Sequence, residues 1–400
     1  MKKLILALIG IIFMVSMVNA QIQTHIVPDD YDTIQEAVDA SNNGDFVKIR
    51  NGDYYESFDF PSGVHITVQG FYQSTSNSTI IHGDGNDNII VDMFGCANFN
   101  KLQYLTLAGD NNTIGVRIGN SLYSEVKHNI IRNNDVGCLL TDTDYSDINN
   151  ITSNKIYNNN VGVKALNDWQ YSLRARIRYN CIYNNQYGIE ISNNSSPNHL
   201  YIYNCTIADN EIAIACGQYQ HFIEINSTII WNNMDAFTNN QNNLYITYSG
   251  IQGGWAGEGN IDENPFFVDP ANNDYSLQWN ENNFSPCIDA GDPETEWDED
   301  DTPPDMGAIT AIEHSYFQDE YDGYEYDAVD WISYPVLNRI TDNAENALNV
   351  LERQGLLNDN GIQTDDILEC VWFEGIDKIW FDNGWQNDLG NFDSKQGYKV

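Results

Sequence analysis

The feature of this sequence that most limits its fold is an internal repeat. Five segments align on a recurring aliphatic residue, with steps of 25, 26, 25 and 23 positions between successive copies. The segments are VKHNIIRNNDVGCLL, ITSNKIYNNNVGVKA, IRYNCIYNNQYGIEI, IYNCTIADNEIAIAC and INSTIIWNNMDAFT, which begin at Val126, Ile151, Ile177, Ile202 and Ile225. Three short strands and three bends take up about that length, so each segment is predicted to form one coil of a solenoid.

Further columns run through the repeat. An aliphatic residue returns five places after the leading one, and an Asn-Asn or Asp-Asn pair follows two places later. Asparagine tolerates left-handed backbone, and its amide can bond to the next coil, so pairs such as Asn133-Asn134 and Asn158-Asn159 predict bends joined by an amide ladder. A later aliphatic column contains Cys138, which is predicted to be a small core residue.

Residues 31–38, with the sequence YDTIQEAV, favour a short helix that caps the open end of the solenoid. The longer phrase YDTIQEAVDASNNGDFVKIRNGDYYES resembles the entry segment of pectin-lyase-like β-helix proteins, and the N-x-I-x-N-N-x-x-G-I repeat resembles their PbH1 coils. The resemblance spans about residues 25–250 and implies an all-β fold, the right-handed parallel β-helix. The aspartate-rich signatures of polygalacturonases and the catalytic motifs of pectin methylesterases are not found, so no catalytic residue is carried over.

The composition bears on location and partners. Residues 1–20 combine two lysines, an apolar run and Val-Asn-Ala, the pattern of a signal peptide, so we expect a secreted or cell-surface protein with no transmembrane segment in the mature chain. The chain has 18 basic and 58 acidic residues and a formal charge of −40, which disfavours nucleic acid and anionic membranes as partners. A polyanionic sugar meets the same repulsion unless cations or a local basic patch relieve it.

The region after the repeat predicts further parts. We assign residues 21–310 to the β-helix, with a segment at 255–310 that resembles the closing segment of bacterial surface β-helix proteins and is predicted to pack on the last coil. An acidic linker follows at 311–330. Residues 331–400 resemble the β-rich accessory modules of secreted bacterial repeat proteins, and because the sequence stops on the predicted closing strand, any further sorting signal would lie beyond Val400.

A dense acidic run lies inside the closing segment. Carboxylates on a loop can converge on Ca²⁺, a hard cation that takes six to eight oxygen ligands. The candidate ligands are Asp298, Asp300, Asp301 and Asp305, although the run has no EF-hand spacing. A solvated acidic linker is the alternative interpretation of the same residues.

The candidate binding surface follows from strand alternation. The longest bends, Thr141–Asp147, Ala165–Tyr171 and Ser192–Asn198, all precede the strand with the leading aliphatic residue, so this strand is predicted to line a groove. Residues at odd offsets from the leading residue should point outward. Coil by coil they are Tyr123, Glu125 and Lys127; Ile148, Asn150 and Thr152; Arg174, Arg176 and Arg178; His199, Tyr201 and Tyr203; and Phe222, Glu224 and Asn226.

Several functions fit this face. Aromatic rings suit sugar faces and arginines pair with carboxylates, which favours noncatalytic contact with an acidic or neutral polysaccharide or cell-surface glycan through Arg174, Arg176, Arg178, His199, Tyr201, Tyr203 and Glu224. A polysaccharide lyase acting on a uronate polymer by β-elimination, with Tyr201, His199 or an arginine as the base, is an alternative. A scaffold or adhesin is another.

Hydrolysis is not favoured by the acidic residues of this face. Only Glu125 and Glu224 lie among the outward positions, and a separation of three coil steps, about 14 Å, exceeds that of a glycosidase pair.

Overall fold

The computed structural model describes residues 22–71, 79–83, 85, 88–141, 148–166, 173–192, 198–217, 221–238, 243–278, 284–295 and 303–308, and short strands between 331 and 399. The expected signal peptide, the linker at 311–330 and three of the proposed calcium ligands, Asp298, Asp300 and Asp301, lie outside these residues. The chain divides into two units, 1–294 with 304–308, and 295–303 with 309–400.

The first unit is a parallel β-helix built from three sheets. Its ten-stranded sheet contains Thr24–Val27, Phe46–Ile49, Thr67–Gly70, Lys101–Gln103, Glu125–Lys127, Asn149–Thr152, Arg174–Arg178, His199–Tyr203, Phe222–Asn226 and Asn243–Thr247, in this order. The nine-stranded sheet contains Gly52–Tyr54, Thr79–Ile81, Thr106–Ala108, Ile130–Arg132, Lys155–Tyr157, Cys181–Tyr183, Thr206–Ala208, Ile229–Trp231 and Gly250–Ile251. The eight-stranded sheet contains Phe58–Asp59, Ile89–Phe94, Ile114–Gly119, Val136–Thr141, Val161–Leu166, Tyr187–Ile191, Ile212–Cys216 and Asp235–Thr238.

The core confirms the aliphatic columns. The five leading residues are register partners on neighbouring strands of the ten-stranded sheet, and all are fully buried. The second column, from Ile131 to Ile230, stacks in the same way within the nine-stranded sheet. Cys138 pairs with Val163 inside the coil and is 0% exposed, so it is a core residue as predicted.

The Asn-Asn pairs form the predicted ladder, and the two members of each pair have different roles. The first residue has left-handed backbone, with φ of 60° at Asn133 and 55° at Asn158. The second residue is buried and donates from Nδ2 to Oδ1 of the equivalent residue in the next coil. These bonds join Asn134 to Asn159 at 3.1 Å, Asn159 to Asn185 at 3.1 Å, Asn185 to Asn210 at 3.0 Å and Asn210 to Asn233 at 3.0 Å.

A second ladder, not predicted, occupies the bend between the ten-stranded and nine-stranded sheets. Asn129 Nδ2 donates to Asn154 Oδ1 at 3.2 Å, and Asn154 Nδ2 donates to Asn180 Oδ1 at 2.9 Å. Cys205 takes the next position, where its Sγ lies 3.3 Å from the Ile177 carbonyl oxygen. The buried thiol therefore substitutes for an amide at this rung.

The N-terminal cap is a helix at Ile34–Ala40. Thr33 and Glu36 form a capping box, which satisfies backbone donors at the start of the helix. Ile34, Ala37 and Val38 are buried, and the helix contacts the first strands of the solenoid. The predicted cap is therefore present as a helix of seven residues.

The closing segment covers more of the solenoid than the last coil. Gly250 forms a β-bridge with Ile261 at the end of the β-helix. Further along the chain, the antiparallel strands Phe267–Asp269 and Asp274–Leu277 flank a 3₁₀ turn. Tyr275 packs on Tyr183 with ring centroids 4.9 Å apart. Further along the chain, the Ala308 N–H donates to Thr206 Oγ1 at 3.0 Å.

As a result, the outer face of the nine-stranded sheet is buried over two coils, those of the strands Cys181–Tyr183 and Thr206–Ala208. The outward residues Cys181, Tyr183 and Thr206 are at most 3% exposed. On the preceding coils the corresponding positions of Ile130–Arg132 and Lys155–Tyr157 remain partly exposed.

The second unit is described only by antiparallel strand pairs. Trp331–Ile332 pairs with Tyr398–Lys399, so the two ends of the predicted C-terminal module lie side by side. Leu357–Asn358 pairs with Gly361–Ile362, and Cys370–Val371 pairs with Ile379–Trp380.

Candidate functional site

The outer face of the ten-stranded sheet carries the predicted site residues. The strands Arg174–Arg178, His199–Tyr203 and Phe222–Asn226 alternate between outward side chains that are exposed or partly exposed and inward side chains that are buried. The register places Arg176 beside Tyr201 and Tyr201 beside Glu224. The structure thus brings together all seven residues of the candidate binding surface.

Basic side chains are concentrated on this face. Six basic and two acidic side chains point outward from the described strands of the sheet, in a chain with 18 basic and 58 acidic residues. The basic residues are Lys48, Lys101, Lys127, Arg174, Arg176 and Arg178, and the acidic ones are Glu125 and Glu224. The face is therefore locally cationic on a strongly anionic protein.

The three arginines of the strand Arg174–Arg178 differ in their surroundings. The guanidinium of Arg178 lies over the rings of Tyr179 and Tyr203, at 5.6 and 5.9 Å from their centroids. Arg174 is exposed and Arg176 partly exposed. Neither Arg174 nor Arg176 forms an ion pair with any residue that the structure describes, so both can offer their hydrogen-bond donors to a ligand.

Aromatic rings lie directly beside the arginines. The rings of His199 and Phe222 stack at 5.5 Å, and Tyr201 lies 6.4 Å from Phe222. Burial and the nearby Arg174 charge lower the pKa of His199, which favours the neutral imidazole. We call His199, Tyr201, Tyr203, Phe222 and Tyr245 the aromatic cluster.

Sequence reasoning missed Tyr245, which extends this cluster by one strand. Its ring lies 5.0 Å from Phe222, its register partner is Glu224, and its exposed fraction is 54%. The available signal was Ile246, which continues the leading column with a step of 21 residues from Ile225. The next strand step therefore holds another outward aromatic ring.

Glu224 is held by a neighbouring tyrosine. The Tyr203 hydroxyl donates to Glu224 Oε1 at 2.6 Å. Burial, and then this bond to a carboxylate, raise the pKa of the Tyr203 phenol. Tyr203 is therefore a hydrogen-bond donor at neutral pH rather than a base.

The separation of Glu125 and Glu224 expected from the sequence was wrong. Their strands lie four steps apart in the sheet order, rather than three, because the coils of Ile151, Ile177 and Ile202 all intervene. At the usual strand spacing the two positions are about 19 Å apart. The correction makes a glycosidase pair from these two carboxylates still less suitable.

The predicted groove walls and calcium ligands are largely outside the described residues. Most of each long bend falls there, at 142–147, 167–172 and 193–197. Of the proposed ligands only Asp305 is described, and it is 4% exposed with its Oδ1 accepting from the Asp289 N–H at 2.9 Å. Within the described part of the chain, no three His, Cys, Asp or Glu side chains cluster as a metal site would require.

The strand topology defines the class of protein. The chain is an all-β parallel β-helix built from three sheets, as its repeat predicted. No helix in the described ranges is both long enough and apolar enough to cross a membrane.

Comparison with known proteins adds no family assignment. No family model and no curated protein matches the chain. Among solved structures, pectate lyase Pel9A matches with a TM-score of 0.41 and 15% identity over 72% of this chain and 96% of the lyase. Pectin methylesterase from Aspergillus niger matches with a TM-score of 0.38 and 12% identity over 61% and 87% of the two chains. Rice weevil pectin methyl esterase gives a TM-score of 0.33 and 12% identity over 57% and 76%.

Proposed function

We propose that this chain is a secreted or cell-surface protein that binds a carbohydrate chain, without cleaving it, through the outer face of the ten-stranded sheet. The observation that supports this function best is the continuous run of register partners Arg176, Tyr201, Glu224 and Tyr245. It places a guanidinium, two phenol rings and a carboxylate at successive strand spacings of about 4.8 Å.

Each part of this run suits a sugar. The apolar faces of sugar rings pack on aromatic side chains, and phenol hydroxyls remain available for hydrogen bonds. The guanidinium of Arg176 offers a planar fork that matches a sugar carboxylate. The local excess of basic residues allows a uronate-containing chain to approach despite the overall charge of −40.

We base the proposed absence of cleavage on the side chains of the same face. Tyr203 holds its proton tightly, and Glu125 lies about 19 Å from Glu224 at the usual strand spacing. Within the described residues of the sheet these are the only two outward carboxylates, so no acid and base pair faces a glycosidic bond there.

A glycan array with neutral and uronate oligosaccharides, followed by calorimetric titration of the bound ones, tests the proposal. We expect Arg176→Ala and Tyr201→Ala to weaken binding about tenfold or more, since each removes a main contact. Tyr201→Phe keeps the ring and should keep most of the affinity. Arg132→Ala on the nine-stranded sheet and Tyr55→Ala on an exposed bend are matched controls that should bind like wild type. A silent array would favour the scaffold interpretation.

A polysaccharide lyase is the second candidate, favoured by Arg176, which has no ion pair with a described residue and is the register partner of Tyr201, on the same strand as His199. In β-elimination a base removes the proton alpha to the uronate carboxylate, a double bond forms in the ring, and the glycosidic oxygen leaves with the bonding electrons. Uronate polymers incubated with and without Ca²⁺ would show the absorbance of the unsaturated product. A signal that disappears in Arg176→Ala would overturn the noncatalytic proposal.

A further inference from the structure

Two stacked pairs of rings flank neighbouring strands of the same sheet, outside the aromatic cluster. Phe99 and Tyr123 precede the strands Lys101–Gln103 and Glu125–Lys127, and their ring centroids lie 5.5 Å apart at an interplanar angle of 15°. Tyr104 and His128 follow the same two strands and stack at 5.1 Å and 2°. The two strands therefore have a ring stack at each end.

The backbone at all four positions is unusual for such side chains. The φ values are 65° at Phe99, 58° at Tyr104, 56° at Tyr123 and 54° at His128, in the left-handed region that disfavours residues other than glycine and asparagine. Bulky residues held in this region often mark functional sites.

Later coils show that the bend does not require an aromatic residue. The positions that correspond to His128 are Ser153, Tyr179, Asn204, Ser227 and Tyr248, all with similar φ. Tyr179 and Tyr248 are each next to Ser or Asn at this position of a neighbouring coil, so what is particular to Tyr104 and His128 is that adjacent coils both carry a ring and the two rings stack. The other stack is exposed, with 58% of Phe99 and 48% of Tyr123 accessible to solvent, which costs hydration free energy unless a ligand covers the rings.

The surface between the stacks is polar. Lys101, Gln103, Glu125 and Lys127 point outward there, and Lys101 Nζ lies 3.9 Å from Glu125 Oε2. Gln103 Nε2 donates to Gln69 Oε1 of the preceding strand at 2.6 Å. Rings at the edges and hydrogen-bonding groups between them match the apolar faces and the hydroxyl rim of a sugar ring.

We propose that these two ring stacks and the polar strands between them form a second carbohydrate subsite. It rests on the proposed function and extends it, because the subsite lies on the same sheet as the aromatic cluster. The strand Glu125–Lys127 and the strand His199–Tyr203 are three steps apart, about 14 Å at the usual strand spacing. A single sugar cannot reach both sites, so the ligand is a polysaccharide chain that runs across the strands.

Titration with length series of uronate and neutral oligosaccharides, from disaccharides upward, tests this inference. Affinity for the series that binds is expected to rise with length until one oligomer covers both sites. The double variant Phe99→Ala, Tyr123→Ala should lose about tenfold in affinity for the long oligomers and bind the short ones like wild type. The single variant Phe99→Tyr keeps the stack and should bind the long oligomers like wild type. An unchanged thermal midpoint of each variant shows that it is folded.

The two proposals fail in different ways. If wild type binds but the double variant keeps full affinity for long oligomers, the second subsite is wrong and the proposed function stands. If wild type binds neither series, both proposals fall.

Discussion

The hydroxyl of Tyr203 donates a hydrogen bond of 2.6 Å to Glu224, although the two residues are diagonal rather than direct partners in the sheet register. Glu224 is the direct partner of Tyr201, and Tyr203 is the partner of Asn226. The bond therefore fixes a carboxylate in the middle of the aromatic cluster.

Removing this bond should lower stability. Tyr203→Phe is expected to reduce the free energy of unfolding by about 1–2 kcal/mol, since a hydrogen bond to a charged group is lost at a half-buried site. Tyr201→Phe is the matched control, because the Tyr201 hydroxyl has no hydrogen bond to a described residue, and it should change stability by less than about 0.5 kcal/mol. Urea unfolding of both variants measures the difference. Equal effects would contradict the assigned role of Tyr203.

The amide ladder should contribute strongly to the free energy of unfolding, because each of its residues forms several buried hydrogen bonds. Asn159 Oδ1 accepts from the N–H and Nδ2 of Asn134, and its own Nδ2 donates to Ile131, Tyr157 and Asn185. Asn159→Ala leaves several of these buried groups unpaired, so we expect a loss of at least about 3 kcal/mol. Asn160→Ala removes one exposed bond to Asp135 and should be nearly neutral. Thermal unfolding of both variants tests this, and similar midpoints would refute the ladder's role.

Acid should destabilise the fold partly through His128. Burial, and then the charge of Lys127, lower the pKa of His128 to about 4. Between pH 6.5 and 4 the unfolded chain binds a proton that the folded imidazole resists, so stability falls as pH falls through this range.

His128→Asn should make this pH dependence shallower. Asparagine suits the φ of 54° at this position and does not titrate. Urea midpoints measured from pH 4 to pH 7 give the slope, and His65→Asn removes an exposed imidazole as a control. A slope equal to that of wild type would show that His128 does not contribute.

The closing segment should protect Cys181 from chemical modification. Cys181 faces outward on the nine-stranded sheet yet is 3% exposed, and it shares its strand with Tyr183, on which the Tyr275 ring packs with centroids 4.9 Å apart. Tyr275→Ala should let a thiol reagent modify Cys181 under native conditions. Cys138, which faces the core, should stay unmodified in both proteins. Peptide mass spectrometry after labelling measures this, and an unreactive Cys181 in the variant would count against the covering role.

Much of the architecture could be predicted because each coil carries the same pattern of residues within its own short segment. An aliphatic residue at a fixed place in each coil must face the interior, and strand alternation then sends its neighbours outward, as at Arg176 and Tyr201. The ladder was predictable as a type of bond, but which asparagine of each pair forms it was not, since both have the same side chain. Only the backbone separates the left-handed Asn133 from the buried Asn134.

The rest of the site depends on features that the sequence pattern does not encode. Tyr245 follows a coil shortened to 21 residues, and its ring contact with Phe222, which is not its register partner, appears only when the strands pair. The stack of Phe99 on Tyr123 requires left-handed backbone at two aromatic residues, against the usual preference. The cover over Tyr183 comes from residues about ninety positions later in the chain, and no periodic signal links them.

The amide ladder also has a consequence for how such a chain can evolve. Because every rung presents the same donor and acceptor to the coil on either side, a whole coil can be gained or lost by duplication or deletion without creating an unmatched junction. Each such event would change the length of the outer face by one strand spacing, about 4.8 Å. The number of coils would then set the length of the proposed binding face, and recombination could lengthen or shorten that face.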